Sequence, residues 1–190
     1  FADSRVVVTI RNPLSQIDSM CRLFERDSLH QLRSVLTYSN ELMREQRRFE
    51  EFADAIDELE RHGRIERAVA YWFANYTVLL EDLERYDVDH IVVRHEDLAT
   101  SPHESAGAVF EFLGLDVTDQ TEDYLRRSTS GGSSRNSPTD TSRDSKSHVF
   151  DVLEGIPRGR VDRIRDAARP FWEVTHETVA AYREWIDEIL

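Results

Sequence analysis

The chain has 190 residues, a formal net charge of −13 and a single cysteine. That length is enough for one sizeable core. The charge excludes a general nucleic-acid surface, since phosphates would be repelled everywhere but in a local basic pocket. A lone Cys21 excludes an internal disulfide and a cysteine metal cluster. No run of about 18 apolar residues is present to span a membrane. Lys146 is the only lysine, and every other basic residue is arginine. An acidic composition with almost no lysine suits a protein working in concentrated salt, where carboxylates stay hydrated and long-range repulsion is screened. A GC-rich coding sequence would exchange lysine for arginine in the same way. Phe1 is not a natural initiator and no signal peptide is visible, so the chain reads as cut from something longer and as cytoplasmic.

The first element is the β-branched run Val6 to Ile10, the pattern of a strand buried on both faces in a parallel sheet. Arg11-Asn12-Pro13 stops it. Asn12 precedes a proline and is pushed towards the extended conformation an N-cap needs. Pro13 fits the first helical position, where no amide hydrogen is required. The segment therefore predicts strand, tight turn and a helix over about Leu14 to Phe24. Arg11 is delivered to the carboxyl end of the strand beside a helix N-terminus, where α/β folds hold anions. Ser15 and Ser19 share one helix face, and Arg11 has the reach to share an anion with Ser19. An ordinary βα corner, its arginine capping a sheet edge, explains the same spacing.

Ser39 or Asn40 can cap a charged helix from Glu41 to about His62, with Leu42, Phe49, Phe52, Ile56 and Leu59 as a thin apolar stripe. Gly63 is placed at its C′ position. Ile65, Val69, Trp72, Tyr76, Leu79, Leu80 and Leu83 then recur at steps of three and four and predict a long helix. Trp72 and Tyr76 on that stripe read as core. After a turn at Asp87 to Asp89, His90 to Arg94 is a second buried strand. Glu96 and Asp97 follow it, and their placement at a strand end allows an acid/base pair or a structural brace; the brace is favoured. His95 reads as packed or hydrogen-bonded. Ser101, Pro102 and Glu104 form a capping-box start for a helix that carries Val109, Phe110 and Leu113 inward and stops at Gly114. A short helix over about Thr121 to Arg127 comes next.

Ser128 to Ser147 is a Ser/Gly-rich break that predicts a mobile loop, either a flexible linker or a phosphate-gripping loop with Arg135, Arg143 and Lys146. A helix near Arg160 to Arg169, with Val161 and Ile164 inward, is broken by Pro170. A last helix is expected from Phe171 to Leu190, with Phe171, Thr175, Thr178, Tyr182, Ile186 and Ile189 on its stripe. No spacing of His, Cys and Asp suggests a metal, and no Gly-x-x-x-x-Gly-Lys-Ser/Thr phosphate loop is present.

Two blocks carry a resemblance. Arg11-Asn12-Pro13 after a strand, with Ser19 eight residues past the arginine, resembles the 3′-phosphate-binding segment of sulfotransferases that use 3′-phosphoadenosine 5′-phosphosulfate (PAPS). Val92-Val93-Arg94-His95-Glu96-Asp97-Leu98, followed by Pro102 and by Phe110-Glu111-Phe112-Leu113-Gly114-Leu115, is similar to that family's strand ending in Arg-Tyr-Glu-Asp-Leu and its helix closing in Phe-Leu-Gly-Leu. His95 stands where the family usually has tyrosine.

The resemblance implies an α/β class: a P-loop-like parallel sheet with many helices, helix-rich, its N-terminal strand and loop missing. It implies a single partial domain over residues 1–190, with the mobile loop at 128–147 inside it. It implies PAPS as co-substrate with no metal, and Arg11 and Ser19 as ligands of the 3′-phosphate. Thr129 would touch adenine and Arg135 the phosphate, although the family's Arg-Lys-Gly triplet is missing. The acceptor would be a hydroxyl compound, possibly a glycan. In that family the 5′-phosphosulfate loop and the acceptor's base lie upstream, so a missing N-terminal segment or a companion chain is expected and no catalytic residue is nominated. The rival readings are a nucleotide-dependent phosphotransferase of related topology and a non-catalytic helical interaction module.

Overall fold

Five β-branched or aliphatic positions in a row favour an extended chain, because branching at Cβ restricts side-chain rotation in a helix and packs well on a pleated surface. Residues Val6–Ile10 form β1 and His90–Arg94 form β2, paired in parallel in the register Val6↔His90 to Ile10↔Arg94. The computed structural model describes residues 4–25, 47–54, 56–57, 63–129 and 153–188. It is helix-rich with this small parallel sheet, which is an α/β composition. The chain divides into two units, Phe1–Asn12 with Val88–Gly155, and Pro13–Asp87 with Ile156–Leu190.

The first unit holds the sheet and three helices: α3 (His95–Thr100), α4 (Pro102–Leu113) and α5 (Asp119–Thr129). Numbering follows chain order, α1 and α2 lying in the second unit. Val8 and Ile10 are buried while Val7 and Thr9 are exposed, so β1 is covered on one face among the described residues, not on both. The β-branched run reported the pleat correctly but not how many faces it hides. Arg5 ties the ends of this unit together. Its Nη1 donates to the Phe112 carbonyl at 2.6 Å, its guanidinium lies 5.8 Å from the Phe112 ring centre, and its Nε pairs with Asp89 at 3.3 Å. A cation on the last carbonyls of α4 complements the helix dipole. Gly114 ends α4 in the left-handed conformation at φ 69°, with Leu115 N–H donating to the Phe110 carbonyl at 2.9 Å. Pro102 is in the first turn of α4, but Ser101 makes no side-chain capping bond, so the expected capping box is not formed. Val109, Phe110 and Leu113 are half-buried.

The second unit packs α1 (Pro13–Glu25), α2 (Arg64–Arg85), α6 (Arg158–Ala168) and α7 (Glu177–Glu188), with a 3₁₀ turn at Arg47–Phe52. Pro13 opens α1 as its lack of an amide hydrogen requires. The stripe of α2 is core: Trp72 is 1% exposed, and its ring meets Phe73 at 4.7 Å, Tyr76 at 5.0 Å and Tyr182 at 5.9 Å. Phe73 stacks on Phe171 at 5.5 Å and meets Trp172 edge-on at 4.7 Å. Leu79, expected inward, is exposed, whereas Phe73 off the expected stripe is fully buried. A helix enclosed by aromatic partners on several sides buries a wider arc than one stripe.

Three expected boundaries differ. Within the helix expected from Glu41 to about His62, Arg47–Phe52 is 3₁₀, 53–54 and 56–57 are α-helical, and the remaining positions lie outside the described residues; Phe49, Phe52 and Ile56 are buried as its stripe predicts. Gly63 stands at the N-cap of α2 with φ 140° and ψ −158°, not in the left-handed C′ conformation. The last helix starts at Glu177. Arg169–Phe171 is a separate 3₁₀ turn at Pro170, and His176 opens α7 by accepting Val179 and Ala180 amides on its carbonyl and the Thr178 amide on ring Nδ1. Tyr182 and Val179 are fully buried, while Thr175 and Thr178 are only half-buried. No helix among the described residues is long and apolar enough to cross a membrane.

Candidate functional site

The two sequence blocks that carry chemistry are joined within the first unit by one buried carboxylate. Parallel pairing sets Ile10 opposite Arg94, so Arg11 and the corner Arg94-His95-Glu96 follow their strands at the same end of the sheet. Glu96 Oε1 accepts the backbone N–H of Asn12 at 2.8 Å across 84 residues of sequence. Both residues are buried, Glu96 at 5% and Asn12 at 0% exposure. Strand ends leave orphan amides, and a carboxylate is the strongest neutral-pH acceptor for one. The bond therefore fixes the turn that carries Arg11. Glu96 is thus a brace, and Thr100 Oγ1 bonds back to its carbonyl at 2.9 Å, closing the single turn of α3. Arg11, Arg94 and His95 are half-buried and Asp97 is exposed. A cleft of about 360 Å³ lies along β2 and the start of α4, bordered by Arg94, Asp97, Ser101, Glu104 and Ser105. Among the described residues that border it, one cation, two carboxylates and two hydroxyls form no nucleophile–base–orienter series.

Ser19 belongs to the second unit, on α1, where it is half-buried. Its helix neighbours are structural. Ser15 and Asp18 are buried, Gln16 Oε1 accepts the Trp72 indole N–H at 3.2 Å, and Cys21 is a buried free thiol. The side chain of Asp18, 3% exposed, receives Arg22 and Arg160, each at 2.5 Å. Glu66 on α2 receives Nε and Nη2 of Arg163 on one oxygen, at 3.2 and 2.6 Å. Arg160 and Arg163 line a second cleft, of about 510 Å³, together with Cys21, Arg64, Ile65, Pro157 and Gly159.

Thr129 is the last residue of α5, its side chain outside the described residues, and Arg135, Arg143 and Lys146 lie outside them too. The arginine cleft was missed from sequence. Its signal was present as Arg158-Gly159-Arg160 and Arg163 at the start of one helix with Arg64 at the start of another, but only packing brings two helix starts to one place. Among the described residues there is no group of three or more His, Cys, Asp or Glu that could hold a metal ion.

Compared with protein-family models, with curated proteins and with solved structures, the chain matches none.

Proposed function

We propose that this chain is the 3′-phosphate-binding part of a PAPS-dependent sulfotransferase acting on a hydroxyl acceptor, possibly a glycan. The observation that carries the reading is the Glu96–Asn12 bond. It ties the strand-end motif of the second block to the Arg11-Asn12-Pro13 turn of the first, which is the bracing role the resemblance implies for that carboxylate. Both blocks also fold as a strand running into a helix, and their strands are parallel neighbours.

In this reading Arg11 supplies a delocalised cation with a planar fork of N–H donors suited to a phosphate, and Ser19 a neutral hydroxyl. Thr129 would meet adenine, and Arg135 would add a second cation to the phosphate. Holding the nucleotide by its 3′-phosphate positions the sulfuryl group without taking part in its transfer, so these residues act on orientation. The in-line attack needs a base for the acceptor hydroxyl and a cation at the departing 5′-phosphate. Both are assigned to a segment upstream of Phe1 or to a companion chain.

The test is calorimetric titration with adenosine 3′,5′-bisphosphate. Wild-type protein binds it, and Arg11→Ala, shown folded by circular dichroism, binds at least tenfold more weakly. ATP with Mg²⁺ binding more tightly than the bisphosphate would favour the phosphotransferase. Absence of binding by folded wild-type protein would leave the interaction module.

A further inference from the structure

We propose that His176 is an acid-sensitive latch on α7: the neutral imidazole caps the helix, and the imidazolium releases its first turn. The residues assigned to PAPS above play no part in it. The ring lies between two partners. Its Nδ1 is 3.1 Å from the Thr178 backbone nitrogen, and its Nε2 is 2.8 Å from Glu84 Oε1 on α2. A backbone amide can only donate, so Nδ1 accepts and carries no hydrogen. The ring proton of the neutral form then sits on Nε2 and is donated to the carboxylate. Glu84 thereby fixes the tautomer that leaves Nδ1 bare for the cap.

An added proton goes to Nδ1, and there it faces the Thr178 N–H, donor against donor. The amide loses its acceptor, and the first turn of a helix has no intrahelical one to replace it. The new positive charge also falls at a helix N-terminus, where the dipole opposes it. Glu84 acts the other way and attracts the imidazolium. Its side chain is 58% exposed, where an ion pair is screened and weak, and that pair forms equally well with the turn open. Among the described residues Glu84 is the charged group in contact with the ring. Glu173 and Glu177, on either side of it in sequence, are exposed. Opening therefore takes up a proton that the capped turn excludes. It is favoured as the pH falls through the imidazole range, from about 8 to about 5.

The latch holds a turn that reaches the core. The His176 carbonyl accepts the amides of Val179 and Ala180, each at 2.9 Å. Val179 and Tyr182 are fully buried, and the Tyr182 ring meets Trp72 at 5.9 Å. An asparagine in this place would cap at every pH, whereas histidine makes the cap conditional on its proton.

The test is hydrogen exchange at the Thr178 amide, followed by NMR in the whole chain and divided by the intrinsic rate at each pH. Protection is expected to fall at least tenfold between about pH 7.5 and about pH 5, while that of Phe73 in α2 stays constant. In His176→Asn, which keeps a capping oxygen and does not titrate, Thr178 is expected to stay protected throughout. An unchanged Thr178 in wild type overturns the proposal. So does an equal fall in His176→Asn, which would assign the effect to carboxylates, or an equal fall at Phe73, which would make it global unfolding. A wild-type measurement decides the matter if the variant does not fold. At about pH 7.5 the ring nitrogen shifts are expected to show a bare Nδ1 and a protonated Nε2, and a protonated Nδ1 would sink the latch.

Discussion

The second unit is built around interlocked rings, the first around paired strands and a buried carboxylate. Among the described residues, of the largest fully buried side chains only Ile10 lies in the first unit; Trp72, Tyr182, Phe52, Phe73 and Phe171 are all in the second. Aromatic burial is non-directional and large, so the second unit draws its stability from area. The first draws on directed bonds: the parallel ladder, Arg5 on the Phe112 carbonyl, and Glu96 on the Asn12 amide. Directed bonds add little net stability each but are expensive to leave unmade. A substitution in the second unit is therefore felt through lost volume, and one in the first through an orphaned polar group.

The largest effect is expected where the rings meet. Phe73→Ala removes the partner of Phe171, Trp172 and Trp72 and should cost about 3–5 kcal/mol in urea denaturation. A loss below about 1 kcal/mol would break the comparison. Next comes Glu96→Ala, which strips a buried amide of a charged acceptor and should cost about 1.5–3 kcal/mol. Its specific sign is faster hydrogen exchange at the Asn12 amide with the α2 amides unchanged. Equal acceleration in both units would show that the bond is not local to the first. The smallest effect is expected for Leu79→Gln. Leu79 is 42% exposed, and the change should stay within about 0.5 kcal/mol. A large loss would return Leu79 to the core where helical spacing places it.

Local signals were readable wherever a few neighbouring residues decide the outcome. Val6–Ile10, Pro13, the start and end of α2, His90–Arg94, Gly114 and Pro170 each act through their own backbone preferences, and each falls where the chain's pattern places it. Misplaced features depend on distant partners. The burial of Phe73 and exposure of Leu79 follow from what surrounds α2, which a stripe does not encode. His176 opens α7 with ring and carbonyl together, a role that Ser, Thr, Asp and Asn usually fill, so the sequence pattern ran the helix on from Phe171. Gly63 shows a glycine's need for a positive φ but not which side of it the helix lies on. For the candidate site, Arg11 could be placed at a strand end from the turn alone, and the bracing role of Glu96 was favoured from the resemblance. Its partner, 84 residues away, was beyond any local pattern. The arginine cleft was invisible for the same reason: Arg64 and Arg160 are remote in sequence and meet only through helix packing.

The β1–β2 register has a temporal side. Val6 pairs with His90, and most of the second unit's sequence is strung between them. During synthesis at roughly 5–20 residues per second, β1 leaves the ribosome on the order of ten seconds before its mate exists. Over that interval an apolar, β-prone segment must stay unpaired while the helices that follow it begin to form. Carboxylates dense along the chain, and the mutual repulsion they bring, offer such a segment a means of waiting without joining its neighbours.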